Sequence, residues 1–158
     1  MKFADFINVS AIKSDIGAPD KPTVIRELVE SMSKAGAIAT DQVEGIVAAI
    51  MKREDLGSTG IGRGGAVPHT KHAGVERLVG TVGISVEGVD FNSLDGDKVH
   101  LLFLLVSPPD RPGDHLRALE NISRQLRDET FCRFLKQARS AQDIHQLLEE
   151  ADNNQFVS

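Results

Sequence analysis

Between Val99 and Val106 the chain reads Val-His-Leu-Leu-Phe-Leu-Leu-Val, apolar at both odd and even positions except His100. Successive side chains of a strand point to opposite faces, so such a run needs apolar cover on both sides. It predicts a central strand sandwiched between two layers. As a membrane-spanning helix it is far too short, since that needs ~20 apolar residues. Leu78 to Val86 alternates, with Val82, Ile84 and Val86 on one face, and reads as a second strand. The turn signal Asp95-Gly96 lies in the polar connector between them.

Helical segments surround these strands. Asp20-Lys21-Pro22 reads as a helix start, with an acidic cap and a proline in the first turn. Val24, Ile25, Leu28, Val29 and Met32 then recur at helical period until Gly36. A second helix is expected from Thr40 as N-cap, with Val43, Ile46, Val47, Ile50 and Met51 inward, ending in Lys52-Arg53-Glu54-Asp55. Beyond the stiff loop Ser107 to Gly113, Asp114 is expected to cap a helix burying Leu116, Leu119, Ile122 and Leu126. Asp128 is expected to cap another carrying Phe131, Leu135 and Ala138. Ser140, with Asp143 three residues on, opens a last helix burying Ile144, Leu147 and Leu148. The start, Phe6 to Ile12, reads as extended, and residues 152–158 as frayed. Helices and strands interleave, so the expected fold class is α/β: one domain, residues 1–158, with helices covering a small sheet.

Composition narrows the function. Eighteen Lys and Arg against 23 Asp and Glu give a net charge of −5, which argues against nucleic-acid binding. Tyr and Trp are both absent, so an aromatic stacking platform is unexpected. The lone Cys132 cannot form an internal disulfide, and Met1 to Phe6 carries an early acid without an apolar signal core. These features predict a cytoplasmic protein with no direct membrane insertion.

The chemistry concentrates at histidines. Gly57 to Gly65 is too rich in glycine for a helix or an ordinary strand. Gly60, Gly62 and Gly65 formally match a dinucleotide fingerprint, but that motif needs a strand before it and a helix after it. Here a helix precedes and a proline-containing extended segment follows, so no cofactor is expected. What the segment delivers is His69, directly after Pro68, whose ring fixes the local backbone and excludes a central ladder position. His115 sits in the first turn of a helix, where free N–H groups suit a phosphate and disfavour an imidazolium. Arg53 ends the second helix, where a cation also complements the helix dipole. His72, with His69 and His115, permits a zinc-hydrolase alternative, although no metal-binding spacing supports it. His100 reads as a hydrogen-bonded core residue, His145 as a helix-surface one and Cys132 as structural.

Leu56 to His69, Leu-Gly-Ser-Thr-Gly-Ile-Gly-Arg-Gly-Gly-Ala-Val-Pro-His, resembles the active-site signature of enzyme IIA proteins of the bacterial phosphotransferase system, in the fructose/mannitol and nitrogen-related branch. The likeness extends through Val89-Asp90-Phe91, Leu94-Asp95-Gly96, Leu101 to Val106, Asp114-His115-Leu116 and Ser123 to Asp128. The resemblance implies a mixed sheet flanked by helices on both faces. It also implies a phosphoacceptor at His69, with His115 and Arg53 as its companions. HPr would be the phosphodonor, and an enzyme IIB in sugar uptake the acceptor. In a nitrogen-related variant, the phosphorylation state would instead gate binding to a target protein. No cofactor or metal is implied. Arg63, Gly65 and Thr70 depart from the residues usual in the family, and the charge of Arg63, beside Lys71 and His72, is expected to alter phosphate affinity or partner choice.

Overall fold

The computed structural model describes residues 1–154, in which five α-helices and five strands follow one another. The helices are α1 (Lys21–Lys34), α2 (Val43–Asp55), α3 (Pro112–Leu126), α4 (Glu129–Gln137) and α5 (Ala141–Asp152). The strands are β1 (Gly60–Gly62), β2 (Gly65–Ala66), β3 (His69–Lys71), β4 (Val79–Val89) and β5 (Val99–Ser107).

β5 is the central strand, as its apolar run demanded. Leu102, Leu104 and Val106 face one apolar cluster, built with Val24, Ile25 and Leu28 of α1 and Ile46 and Ile50 of α2. Leu101, Phe103 and Leu105 face the other, with Ile122 of α3, Phe131 and Leu135 of α4 and Ile144 and Leu148 of α5. Strict alternation along one strand thus holds helices on both faces of the sheet. β4 pairs antiparallel with β5, Val82 opposite Phe103. β2 and β3 pair parallel with β5, Ala66 opposite Leu102 and His69 opposite Leu105, so the register runs unbroken across Pro68. Together these make a mixed α/β sheet.

Several local expectations change. The glycine-rich segment is a small antiparallel hairpin, with Gly60 opposite Ala66. Its turn is made possible by Gly62, Arg63 and Gly64, all at positive φ. Phe6 to Ile12 is not a strand. Phe3–Asp5 and Val9–Ala11 are 3-10 turns, and the chain between and beyond them bridges the outer edge of β4 at Gly80 and Gly83. That cover satisfies an edge that would otherwise be open to pairing. Thr40 begins a 3-10 turn, and α2 starts at Val43 without a side-chain cap. Val86 lies 63% exposed, because β4 reaches a bulge there and leaves the core face.

Asp20, Asp128 and Ser140 cap their helices as expected, each accepting a backbone N–H from the first turn. Asp114 does not cap α3. The helix begins earlier, at Pro112, and Asp114 bonds Arg117 instead. Asp152 is anchored rather than frayed, since its carboxylate accepts the Phe3 and Ala4 amides at 2.7 and 3.0 Å. The rest of that expected frayed tail, 155–158, lies outside the described residues.

Candidate active site

Two structural decisions bring the histidines together. The first is the Val67-Pro68 break, after which the backbone rejoins β5 at His69. Pro68 offers no N–H, but its carbonyl accepts the Leu105 amide at 3.1 Å, so the strand line is kept through the proline. The second is the phase of α3. Its buried face is His115, Ala118, Asn121, Ile122, Gln125 and Leu126, while Leu116, expected inside, is 65% exposed. The early start at Pro112 turns His115 inward, onto the end of β5.

The ring centroids of His69 and His115 stand 5.5 Å apart, inclined by 54°. His69 is half-buried, and its Nδ1 lies 2.6 Å from the Val67 carbonyl oxygen. A carbonyl only accepts, so Nδ1 carries the hydrogen and Nε2 keeps a free lone pair. Burial pushes the His69 pKa below its ordinary value; the bond to Val67 opposes this, the Arg53 charge adds to the lowering and the Glu54 charge resists it. His115 is buried, and its pKa falls to about 4 through burial first, then through the charges of His69 and Lys71. Both rings are therefore neutral near pH 7.

Arg53 occupies the last turn of α2, which packs against β3. Its Nη1 donates to the Gly57 carbonyl at 2.9 Å, and its charge is felt at His69. The structure thus brings His69, His115 and Arg53 to one end of the sheet. It does not bring Arg63 there. Arg63 sits in the hairpin turn at the other end of β5, where Nη1 donates to the Arg127 carbonyl at 3.2 Å. Gly64 and His69 are separated by about 16 Å of strand at ~3.3 Å per residue, so the expected effect of Arg63 on a phosphate at His69 is not supported. His72 also turns away. Its Nδ1 accepts the Gly74 amide at 2.9 Å and its ring lies against Gly45 of α2. Among the described residues no group of three or more His, Cys, Asp and Glu is placed to hold a metal ion, which leaves the zinc alternative without a ligand set.

Two contributors were not read from the sequence. Ser107 closes β5, fully buried, with Oγ 2.5 Å from His115 Nδ1. A serine at a strand end carries no signature, so nothing local could have marked it. Glu54 is 5% exposed. Its carboxylate accepts from Lys21 Nζ at 3.0 Å, from the Thr59 amide at 3.2 Å and from the Thr59 hydroxyl. This network ties the end of α2 to the start of the hairpin that leads to His69. Its only trace in the sequence was the charged cluster at residues 52–55.

Fold and site together define an α/β protein with two neutral histidines converging where parallel strands end, a common place for ligand chemistry in such sheets. The sequence profile described as "Phosphoenolpyruvate-dependent sugar phosphotransferase system, EIIA 2" matches residues 5–151. The chain is 33% identical over 148 residues to the nitrogen regulatory protein of Bradyrhizobium diazoefficiens, covering 94% of this chain and 95% of that one. It is 36% identical over 152 residues to the phosphotransferase-system fructose-specific EIIABC component of Bacillus subtilis, covering 96% of this chain and 24% of that protein. The crystal structure of nitrogen regulatory protein IIA-Ntr from Neisseria meningitidis has the same fold, with a TM-score of 0.82 at 28% identity over 92% of this chain and 98% of that one. The chain belongs to the type 2 enzyme IIA family of the phosphoenolpyruvate-dependent sugar phosphotransferase system. Among the described residues no helix is long and apolar enough to cross a membrane.

Proposed function

We propose that the protein is a cytoplasmic phosphocarrier that accepts a phosphoryl group from an HPr-type phosphohistidine on Nε2 of His69 and passes it to an enzyme IIB. The observation that carries this reading is the 2.6 Å bond from His69 Nδ1 to the Val67 carbonyl, which leaves Nε2 as the nucleophilic nitrogen. In the forward step Nε2 attacks phosphorus in line, a new P–N bond forms, and the P–N bond to the donor imidazole breaks with its electron pair returning to that ring. The positive charge gained by the His69 ring is shared through Nδ1–H with the Val67 carbonyl. Phosphoryl transfer of this kind depends on positioning and on neutralising the equatorial oxygens. With the Ser107 hydroxyl donating to its Nδ1, His115 presents Nε2–H to those oxygens, and Arg53 supplies the cation. Transfer to the enzyme IIB repeats the displacement at the same phosphorus in the reverse sense.

The likeness to nitrogen regulatory proteins over nearly the whole chain supports a second reading with the same chemistry and a different output. In it the phosphorylation state of His69 gates capture of a target protein. Incubation with phosphoenolpyruvate, enzyme I and HPr is expected to give acid-labile, alkali-stable label on the wild type and none on His69→Ala. Label persisting on that variant would remove His69 from the mechanism. Onward transfer to an enzyme IIB supports the carrier reading, and state-dependent capture of a non-transport partner supports the regulatory one.

A further inference from the structure

A cavity lies at the opposite end of β5 from His69. It measures about 730 Å³ and is lined by Arg63 and Gly64 of the hairpin turn, Asp97 and Lys98 before β5, His100, Leu126, and Cys132, Arg133 and Lys136 of α4. Four cations (Arg63, Lys98, Arg133 and Lys136) meet two carboxylates, Asp97 and Glu129, on its walls. That positive excess stands on a chain whose net charge is −5. Glu129 reaches only Arg63, at 4.0 Å; Lys98, Arg133 and Lys136 make no ion pair among the described residues.

Two of the four cations are held by backbone carbonyls. Arg63 donates from Nη1 to the Arg127 carbonyl, and Lys136 Nζ donates to the Arg63 carbonyl at 3.3 Å. Gly64 permits this closeness, since a Cβ there would stand 3.2 Å from Lys136 Nζ, and its φ of +80° independently favours glycine. Leu126 and Cys132 add apolar surface to the same cavity, and burial pushes the Cys132 thiol up, which leaves it an uncharged wall.

We infer that this cavity binds a small organic molecule carrying two or more phosphates. Converging cations from three separate chain segments match several phosphate oxygens, and the fork of Arg63 or Arg133 suits them bidentately. The apolar wall suits the organic part, and the volume lies within the ~300–1,000 Å³ usual for small-ligand sites. A protein partner would need on the order of 800 Å² of matching surface on each side rather than a concavity. The site is independent of the chemistry at His69.

Calorimetric titration of the full chain at low salt tests this with three probes: ADP, inorganic pyrophosphate and a hexaglutamate peptide. ADP is expected to bind saturably with one site per chain, several-fold more tightly than pyrophosphate, and more weakly as salt rises. Arg133→Gln combined with Lys136→Gln is expected to weaken ADP at least tenfold while His69 labelling and thermal stability stay as in the wild type. Lys98→Gln gives an independent loss of about threefold, and Lys34→Gln, on α1 across the sheet, gives none. No saturable ADP binding, unchanged affinity in the double variant, pyrophosphate matching ADP, or hexaglutamate binding more tightly than ADP would each overturn the inference.

Discussion

At His69 a single backbone carbonyl chooses which nitrogen reacts, and at His115 a single hydroxyl holds the ring by its Nδ1. His69 was legible because a glycine-rich stretch ending in Pro-His gives a stiff, directed backbone. His115 was legible as a residue near a helix start, but its inward direction was not, and Ser107 was not legible at all. Ser107→Ala removes the hydroxyl that meets His115 Nδ1, and with it the bond that orients the ring. Phosphoryl acceptance by this variant is expected to slow about tenfold, of the order of one lost hydrogen bond. The His115 15N resonances are expected to move from one tautomer to a mixture of two. An unchanged 15N signature would show that Ser107 does not orient the ring.

Among the elements, β5 governs the rest. Its alternation divides the core between α1 and α2 on one face and α3, α4 and α5 on the other. Phe103 is fully buried and stacks on Phe3 at 5.5 Å between centroids. Phe103→Ala leaves a cavity in the middle of the sheet, and a loss of about 3–5 kcal/mol is expected from the midpoint of urea unfolding. A loss below about 1 kcal/mol would mean that the β5 core collapses freely around the gap. The helices were found by period, yet the face of α3 was misread. Leu116 follows the apolar pattern, but the helix starts at Pro112 and buries His115, Asn121 and Gln125. Polar residues on a buried face defeat a hydrophobic pattern, and the first of these, His115, faces the site. The glycine-rich hairpin was missed as strands because its pairing is only two or three residues long, with almost no side chains to show alternation.

For the molecule as a whole, the site costs stability in acid. His115 titrates at about 4 in the folded chain against 6.5 when free. Between those values the unfolded chain binds the proton and the folded chain does not, so stability is full above about 6.5 and falls as pH drops toward about 4. His69 is shifted in the same direction and adds to the effect. The loss is expected to be of order 2–3 kcal/mol, and denaturant midpoints measured across that window are expected to flatten in His115→Gln. A variant whose acid sensitivity equals the wild type would assign the destabilisation elsewhere.

The sequence alone determined the α/β class, the central strand, the periods of the helices and the stiff presentation of His69, because each is a property of neighbouring residues: parity, spacing and the restriction a proline imposes. Tertiary structure alone decided that His115 turns inward onto Ser107, that Glu54 ties α2 to the hairpin, and that Arg63 belongs to a basic cavity about 16 Å of strand away from the histidines. Those outcomes depend on which residues the packing of helices against the sheet brings within hydrogen-bonding reach, and distance in space is not written into distance along the chain.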